Sequence, residues 1–263
     1  MNWLPGRRSL RSLMIAGLCF ICLASSCAAK DFRSWTAAVV AGDAESDTGA
    51  PTKVFDNARR SLVKALIARG FLRENVLEFS AAPTPKEPQV RSANAHTLET
   101  ALKEATSRTE DGCLLYFTSH GTWGGMILGG SLLQPKQLAR IVKRNCGSRL
   151  TVVIVSACFS GAFVPSLKQT AHIVLTASRA DRSSFGCGER DVYTYFDSCL
   201  LGSLPHAQDF VALGRGARAC VSKLERETRA EPASEPQLWV GAAAAGLERL
   251  YPMNAAPPGA RSP

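Results

Sequence analysis

The stretch LTVVIVSACFSG, residues 150–161, determines the fold of this chain. Its first six residues form the most hydrophobic of the predicted strands and stop at Ser156, which predicts a strand buried on both faces of a sheet. A second apolar run, CLLYF at residues 113–117, stops at the tetrapeptide TSHG. Each run is followed within three residues by a reactive side chain, His120 in one case and Cys158 in the other.

Apolar runs and amphipathic patterns alternate from residue 35 to residue 240. The predicted strands cover residues 35–41, 76–79, 113–117, 126–128, 150–155, 172–176 and 238–240. The predicted helices begin at Asp56, Asn94 and Pro135, and two more cover about 193–204 and 207–228. Residues 81–92, with three prolines, are predicted to be a loop. The alternation predicts an α/β fold in three layers, a mainly parallel sheet with helices on both faces.

Parallel sheets bind ligands beyond the carboxyl ends of their strands, so His120 and Cys158 are expected at one edge if their strands are neighbours. A cysteine nucleophile needs a base within hydrogen-bonding reach. Gly121 lets the backbone approach a substrate closely, and its N–H and that of Cys158 are candidate donors to an oxyanion. Alone, a cysteine after an apolar strand is usually a core residue, and a His-Gly pair is usually a turn. The occurrence of both residues at the ends of two such strands favours a catalytic role over these alternatives.

The two blocks, apolar strand–TSHG and apolar strand–SACFSG, resemble the signature blocks of the caspase-like peptidases. They are most similar to those of legumain-type peptidases and related bacterial proteins. The resemblance covers about residues 36–241. It implies a caspase-like fold, with His120 as general base and acid, Cys158 as nucleophile, and the N–H groups of Gly121 and Cys158 as the oxyanion hole. The caspase pentapeptide around the nucleophile is absent, which argues against an aspartate-specific caspase.

The segment SSFGCGERD, residues 183–191, resembles the legumain loop that lines the specificity pocket. The resemblance assigns Ser183, Ser184 and Asp191 to that pocket, where an acid favours substrates with Asn or a basic residue before the cleaved bond. The alternative is that the two serines lie in a solvated loop and Asp191 caps the following helix.

One position departs from the legumain pattern. Legumain-type enzymes carry an Asn that orients the catalytic His, two places after the glycine that ends the first strand. Here Gly42 is followed by Asp43 and Ala44, so that Asn is missing. Asp43 is the candidate to orient His120 instead, and its alternative is a loop-starting residue.

The resemblance implies a cysteine-type endopeptidase that acts on peptide or protein substrates and needs no metal or organic cofactor. A transamidase with the same dyad and an inactive pseudo-peptidase acting as an envelope binding protein are the alternatives. His96, His172 and His206 receive no role. No Cys/His spacing resembles a zinc site.

The N-terminus resembles an export signal, with Arg7, Arg8 and Arg11 before an apolar run at residues 13–23 that is short for a membrane span. Signal peptidase cleavage after Ala29 makes the product periplasmic or secreted, whereas lipidation of Cys27 attaches it to a membrane. The predicted organisation is a signal peptide at 1–29, a caspase-like domain at 30–251 and a disordered tail at 252–263.

The charge and the cysteine content limit the possible partners and disulfides of the chain. The formal charge of +9 falls to +6 without residues 1–29 and is not concentrated in a dense Lys/Arg run, so nucleic-acid binding is not indicated. Six cysteines follow the signal region. With Cys158 kept free for chemistry, at most two disulfides form, and the sequence leaves their connectivity open.

Overall fold

The computed structural model describes residues 1–2, 30–82, 84 and 86–253. The predicted signal peptide, including Cys27, lies outside the described residues apart from its first two, and export stays a prediction. Of the predicted tail, Pro252 and Met253 are described, and the buried Met253 donates its N–H to the carbonyl of Gln208 (2.8 Å). No helix in the described residues is long and apolar enough to cross a membrane.

Ten strands and seven α-helices form the described chain. The strands are β1 (Trp35–Ala41), β2 (Val76–Ser80), β3 (Val90–Ser92), β4 (Gly112–Thr118), β5 (Gly121–Thr122), β6 (Gly125–Leu128), β7 (Ser131–Leu133), β8 (Leu150–Ser156), β9 (His172–Thr176) and β10 (Gln237–Val240). The helices are α1 (Val54–Ala68), α2 (Ala95–Thr106), α3 (Pro135–Cys146), α4 (Val164–Leu167), α5 (Tyr195–Ser203), α6 (Phe210–Thr228) and α7 (Ala244–Leu247).

Seven strands form one sheet in the order β10-β9-β8-β4-β1-β2-β3, in which only β10 pairs antiparallel. Alternate residues of β1 face two separate cores, because successive side chains of a strand point to opposite faces. Ala37 and Val39 pack with α1, α5 and α6, whereas Ala38 and Val40 pack with α2 and α3. The predicted three-layer α/β architecture is therefore confirmed.

The register of the two central strands positions the site. β4 and β8 pair in parallel with Thr118 opposite Ser156, so both strands end at the same level. The chain beyond β4 continues into a small antiparallel sheet, β5-β6-β7, that lies over this edge. His120 and Cys158, each two residues beyond its strand, therefore leave the sheet side by side.

Several predicted boundaries were wrong. α1 begins at Val54, so Asp56 lies in its first turn, where its carboxylate accepts hydrogen bonds from Arg59 (2.7 Å) and Ser80 (3.0 Å). The predicted loop 81–92 contains β3, which pairs in parallel with β2 at the sheet edge. The predicted caps at Asn94 and Pro135 are confirmed, since Asn94 accepts the N–H of Thr97 and Pro135 is the first residue of α3.

A buried ion-pair network holds the segment between β2 and β3 against α1. Arg59 is fully buried and pairs with Asp56, Glu78 and Glu87. Hydrogen bonds from Arg60 and Arg59 lower the pKa of Glu87 to about 2. Removing one partner of such a network is costly, because it leaves an uncompensated buried charge. Glu87, just before β3, is thus anchored against α1.

Two disulfides form among the described residues, one between the sheet and a helix and one between two helices of the same layer. Cys113 of β4 bonds to Cys146 of α3, and Cys199 of α5 bonds to Cys220 of α6. Cys158 and Cys187 keep free thiols. Among the described cysteines the number of disulfides agrees with the predicted limit of two, and neither disulfide includes Cys158.

Glu248 predicts a pH dependence of stability. This residue is 8% exposed, and burial together with the nearby charge of Asp209 raises its pKa to about 7. Because the folded state binds the proton more tightly, the stabilisation is fully present below the unfolded pKa of about 4.5 and is lost as the pH rises through 7. The melting temperature of Glu248→Gln should therefore change less with pH between 4.5 and 7 than that of wild type. Above pH 7 it should be higher than that of wild type.

Thermal melts of wild type and variant across this pH range measure the effect. Glu227→Gln, which neutralises an exposed carboxylate of α6, is the matched control and should follow the wild-type curve. A Glu248→Gln curve parallel to wild type would show that this carboxyl group does not set the pH dependence.

Candidate active site

The main chains that carry His120 and Cys158 touch at Gly121. A Cβ atom at position 121 would lie 2.0 Å from the carbonyl oxygen of Cys158 and 2.9 Å from its nitrogen. Real side chains do not tolerate such distances, so only glycine allows the two turns to approach this closely. The close approach of the two turns therefore explains why the TSHG block has a glycine at position 121.

Two N–H groups at this contact are oriented away from the sheets. The N–H of Ile127 donates to the carbonyl of His120 (2.9 Å), which makes these two residues a hydrogen-bonded pair of the β5-β6 ladder. The next pair, Gly121 and Met126, is then a non-hydrogen-bonded pair, whose N–H and C=O groups face away from the partner strand. Within the described residues no acceptor bonds the N–H of Cys158. The N–H groups of Gly121 and Cys158 therefore remain the candidate donors to an oxyanion.

The thiol of Cys158 is half-buried and is held by Ser184. The backbone N–H of Ser184 lies 3.2 Å from Sγ, and its carbonyl oxygen and hydroxyl lie 3.6 and 3.7 Å away. Ser184 was predicted to line the specificity pocket, and in the structure it contacts the nucleophile candidate itself. These contacts with Ser184 fix the position of the sulfur.

The imidazole of His120 is half-buried between a backbone carbonyl and an aromatic ring. Its Nε2 lies 3.0 Å from the carbonyl oxygen of Glu45, and its ring packs edge-to-face on Phe55 at 5.2 Å between centroids. A carbonyl only accepts, so Nε2 carries the proton in the neutral ring and Nδ1 keeps the lone pair. The described residues include no direct hydrogen bond between His120 and Cys158, a common feature of substrate-free active sites.

Of the two alternatives for Asp43, the structure supports the loop-starting residue and not the residue that orients His120 directly. Its Oδ1 accepts the N–H groups of Ala44 (2.8 Å) and Glu45 (3.2 Å), which is the behaviour of a loop-starting residue. The bend that it stabilises brings the carbonyl of Glu45 to His120. Sequence reasoning missed Glu45 because a main-chain carbonyl has no side-chain signature.

Comparison with known proteins identifies the family of this chain. Residues 76–209, half of the chain, match the Peptidase C13 family, the family of legumain. The chain belongs to the Peptidase C13 family. No match was found among curated proteins. The match covers both dyad candidates and the 183–191 segment, and family and fold together indicate a cysteine peptidase or a related activity.

Among solved structures, this C13 chain is similar to caspase-1 from Spodoptera frugiperda, with a TM-score of 0.58 and 14% identity. The similarity covers 81% of this chain and 88% of the caspase chain. At this identity it shows the fold alone, and the predicted caspase-like fold is confirmed.

The 183–191 segment of the C13 chain divides into two parts. Ser184 contacts Cys158, whereas Ser183 is exposed. Asp191 closes a tight turn, with its Oδ2 accepting the N–H of Gly188 (2.8 Å). The alternative helix cap is wrong for Asp191, because Thr194 caps α5 by accepting the N–H of Asp197 (3.0 Å).

Asp191 borders a cavity of about 470 Å³ beside this turn. The walls come from two segments, residues 47–48 and residues 188–191, which are joined by a hydrogen bond from Thr48 to Glu189 (2.8 Å). Asp47, Glu189 and Asp191 give the cavity three carboxylates against the single cation of Arg190. The cavity is therefore acidic.

A buried carboxylate in the C13 chain connects the ends of β4 and β8. Asp197 accepts hydrogen bonds from Tyr116 Oη (2.7 Å) and Thr118 Oγ1 (2.6 Å) at the end of β4. Thr194, whose hydroxyl accepts the Asp197 N–H, lies 3.3 Å from the hydroxyl of Ser156 at the end of β8. Burial raises the pKa of Asp197, and burial together with Asp197 raises that of Tyr116. This network fixes the two strand ends relative to α5.

The remaining histidines of the C13 chain lie apart from the site. His96 is in α2, His206 is exposed, and His172 is buried at the start of β9, with Nδ1 bonded to the carbonyl of Leu167 (2.7 Å). Burial lowers the pKa of His172. His172 borders a cavity of about 490 Å³ beside α3, which lies at the opposite edge of the sheet and includes neither dyad residue. No group of metal-binding side chains occurs in the described parts of the chain.

Proposed function

We propose that this chain hydrolyses peptide bonds by acyl transfer, with Cys158 as nucleophile and His120 as general base and acid. The observation that supports the proposal most directly is the contact of the two turns at Gly121, which brings together the main chains that carry His120 and Cys158. A pseudo-peptidase has no need for a glycine at that contact.

The chemistry follows from the geometry. With Nε2–H of His120 bonded to the carbonyl of Glu45, Nδ1 is the atom that takes the proton of the Cys158 thiol. The thiolate attacks the substrate carbonyl, and the N–H groups of Gly121 and Cys158 stabilise the oxyanion. Nδ1–H then protonates the leaving amine. Water, activated by the same nitrogen, releases the acid from the thioester and restores the thiol.

We propose that Asp191 selects substrates with Asn or a basic residue before the cleaved bond. The support is the acidic cavity, where Asp47 and Glu189 add to the negative charge of Asp191. A substrate carboxylate is repelled there, whereas an amide N–H₂ or a cation donates hydrogen bonds to the acid. Ser184 belongs to the same 183–191 segment as Asp191, and its N–H contacts the sulfur of Cys158. We therefore expect the substrate side chain that precedes the cleaved bond to lie beside this segment.

The Asp191→Ala variant should lose the preference for an Asn peptide over an Asp peptide that differs only at this residue. A hydrogen bond to a charged group contributes about 1.5–3 kcal/mol, so the preference should fall by about ten- to a hundredfold. Cleavage rates of both peptides measure the effect, with labelling of Cys158 as the check that the dyad is intact.

Glu104→Ala removes an exposed carboxylate of α2 and is the control. If Asp191→Ala keeps the wild-type preference, Asp191 only closes its turn and the pocket is built from other residues. The same peptides, supplied with a free amine, separate hydrolysis from transamidation by product mass.

A further inference from the structure

Two aromatic rings lie beside the catalytic turns, and neither belongs to the dyad or to the 183–191 segment. Trp123 follows His120 by three residues, in the turn between β5 and β6, and is 71% exposed. Phe159 directly follows Cys158 and is half-buried. The ring centroids are 4.5 Å apart, with 30° between the ring planes. We call this pair the aromatic shelf.

The backbone at Phe159 indicates that its ring position is functional. Its φ is +57°, in the left-handed region that bulky residues rarely adopt. Strain of this kind clusters at functional sites, where the surrounding structure enforces it. Here the N–H of Phe159 donates to the carbonyl of Arg182 (2.8 Å), which fixes the turn and places the ring on Trp123. Glycine would adopt this conformation freely, and the chain carries an aromatic residue instead.

The position of the shelf relative to the reaction defines the part of the substrate that it contacts. The carboxylates and Ser184 on the 183–191 segment face the acyl side of the bond under the proposed function. Trp123 lies on the strand pair that leaves His120, and His120 delivers a proton to the departing amine. A side chain that follows the cleaved bond is therefore the one nearest to the shelf.

We propose that the aromatic shelf is a substrate subsite for a large apolar side chain, aliphatic or aromatic, on the residue that follows the cleaved bond. The inference rests on the proposed peptidase function and adds a second determinant of specificity to it. Trp123 offers a broad, rigid face at little entropic cost, and Phe159 keeps that face at the nucleophile. Burying a leucine or phenylalanine against the shelf removes apolar surface from water.

The test is a peptide series with a constant acyl side and Leu, Phe, Ser or Gly after the cleaved bond. Wild type should cleave the Leu and Phe peptides with a kcat/KM about tenfold above that of the Ser and Gly peptides. Trp123→Ala should abolish that difference, and Trp123→Phe should restore most of it. Val192→Ala, which removes another exposed apolar side chain, should leave it unchanged.

A peptidyl chloromethyl ketone separates the shelf from the dyad, because it occupies the acyl side and carries no residue beyond the reactive carbon. Its rate of alkylation at Cys158 should be the same in wild type and Trp123→Ala. Cleavage of all peptides without preference in wild type, or retention of the preference in Trp123→Ala, would overturn the shelf and leave the proposed function standing. Absence of both cleavage and labelling in wild type would overturn both.

Discussion

We expect the Cys158→Ala variant to cleave peptides about four to six orders of magnitude more slowly than the wild-type chain, while its fold is retained. Under the proposed function, the thiol of Cys158 is the group that forms the thioester with the substrate. Its loss removes covalent catalysis, while the Gly121 contact, which involves the main chain of residue 158, is unaffected. Steady-state cleavage rates measure the loss of activity, and thermal melts show whether the fold is retained.

Cys187→Ser is the matched control for this prediction. Cys187 is the second free cysteine among the described residues, and burial, with a smaller contribution from Cys158, raises the pKa of its thiol to about 11. It is therefore protonated at neutral pH and a poor nucleophile. Cys187→Ser should retain activity within about tenfold of wild type, because no reacting bond involves its sulfur. A Cys158→Ala variant with activity in that range would exclude the proposed nucleophile.

Replacing His120 with alanine should reduce cleavage nearly as much as the loss of Cys158, and the two losses should not add. Both residues act in one proton-transfer unit, so removal of the second adds little once the first is absent. The rates of His120→Ala, Cys158→Ala and the double variant give the comparison. His206→Ala, which removes an exposed imidazole far from the dyad, is the control.

Additive losses would show that His120 and Cys158 act independently, and would contradict a shared acyl-transfer mechanism. A His120→Ala variant with wild-type rates would mean that another group deprotonates the thiol. The carbonyl of Glu45 cannot replace the imidazole, since it only accepts hydrogen bonds.

The central sheet could be predicted because its strands are buried on both faces. Runs such as LTVVIV and CLLYF have no polar side chain that needs water, and the helices between them have one apolar face each. The short strands β3, β5 and β7 were missed, because two or three residues carry too little periodicity to identify a strand. β3 in particular depends on Glu87 and its ion pairs with α1, which are contacts distant in sequence.

The proximity of His120 and Cys158 could be predicted for a different reason. Parallel strands bring their carboxyl ends to one edge, so two reactive residues after neighbouring strands must lie close together. What surrounds the dyad depends on main-chain geometry. The carbonyl of Glu45 and the N–H of Ser184 contact the two side chains, and neither group has a residue-type signature.

Asp197 shows a further limit of sequence reasoning. It occurs in YFDSCLL, an apolar helical pattern in which one acid is easily assigned to the solvent face. In the structure it is fully buried and bonds to Tyr116 and Thr118. The sequence did contain a signal, namely an acidic residue within an otherwise apolar pattern. A carboxylate at a buried position needs hydrogen-bond donors from another element.

The most direct test of the account is mass spectrometry of the enzyme after acid quenching during turnover of a peptide substrate. Acyl transfer predicts a mass increase equal to the acyl portion of the substrate, located on the proteolytic fragment that contains Cys158. The adduct should persist in Cys187→Ser and be absent from Cys158→Ala. An adduct on Cys187, or turnover with no adduct on Cys158 under conditions where thioester hydrolysis is rate-limiting, would contradict the assignment of Cys158 as the nucleophile.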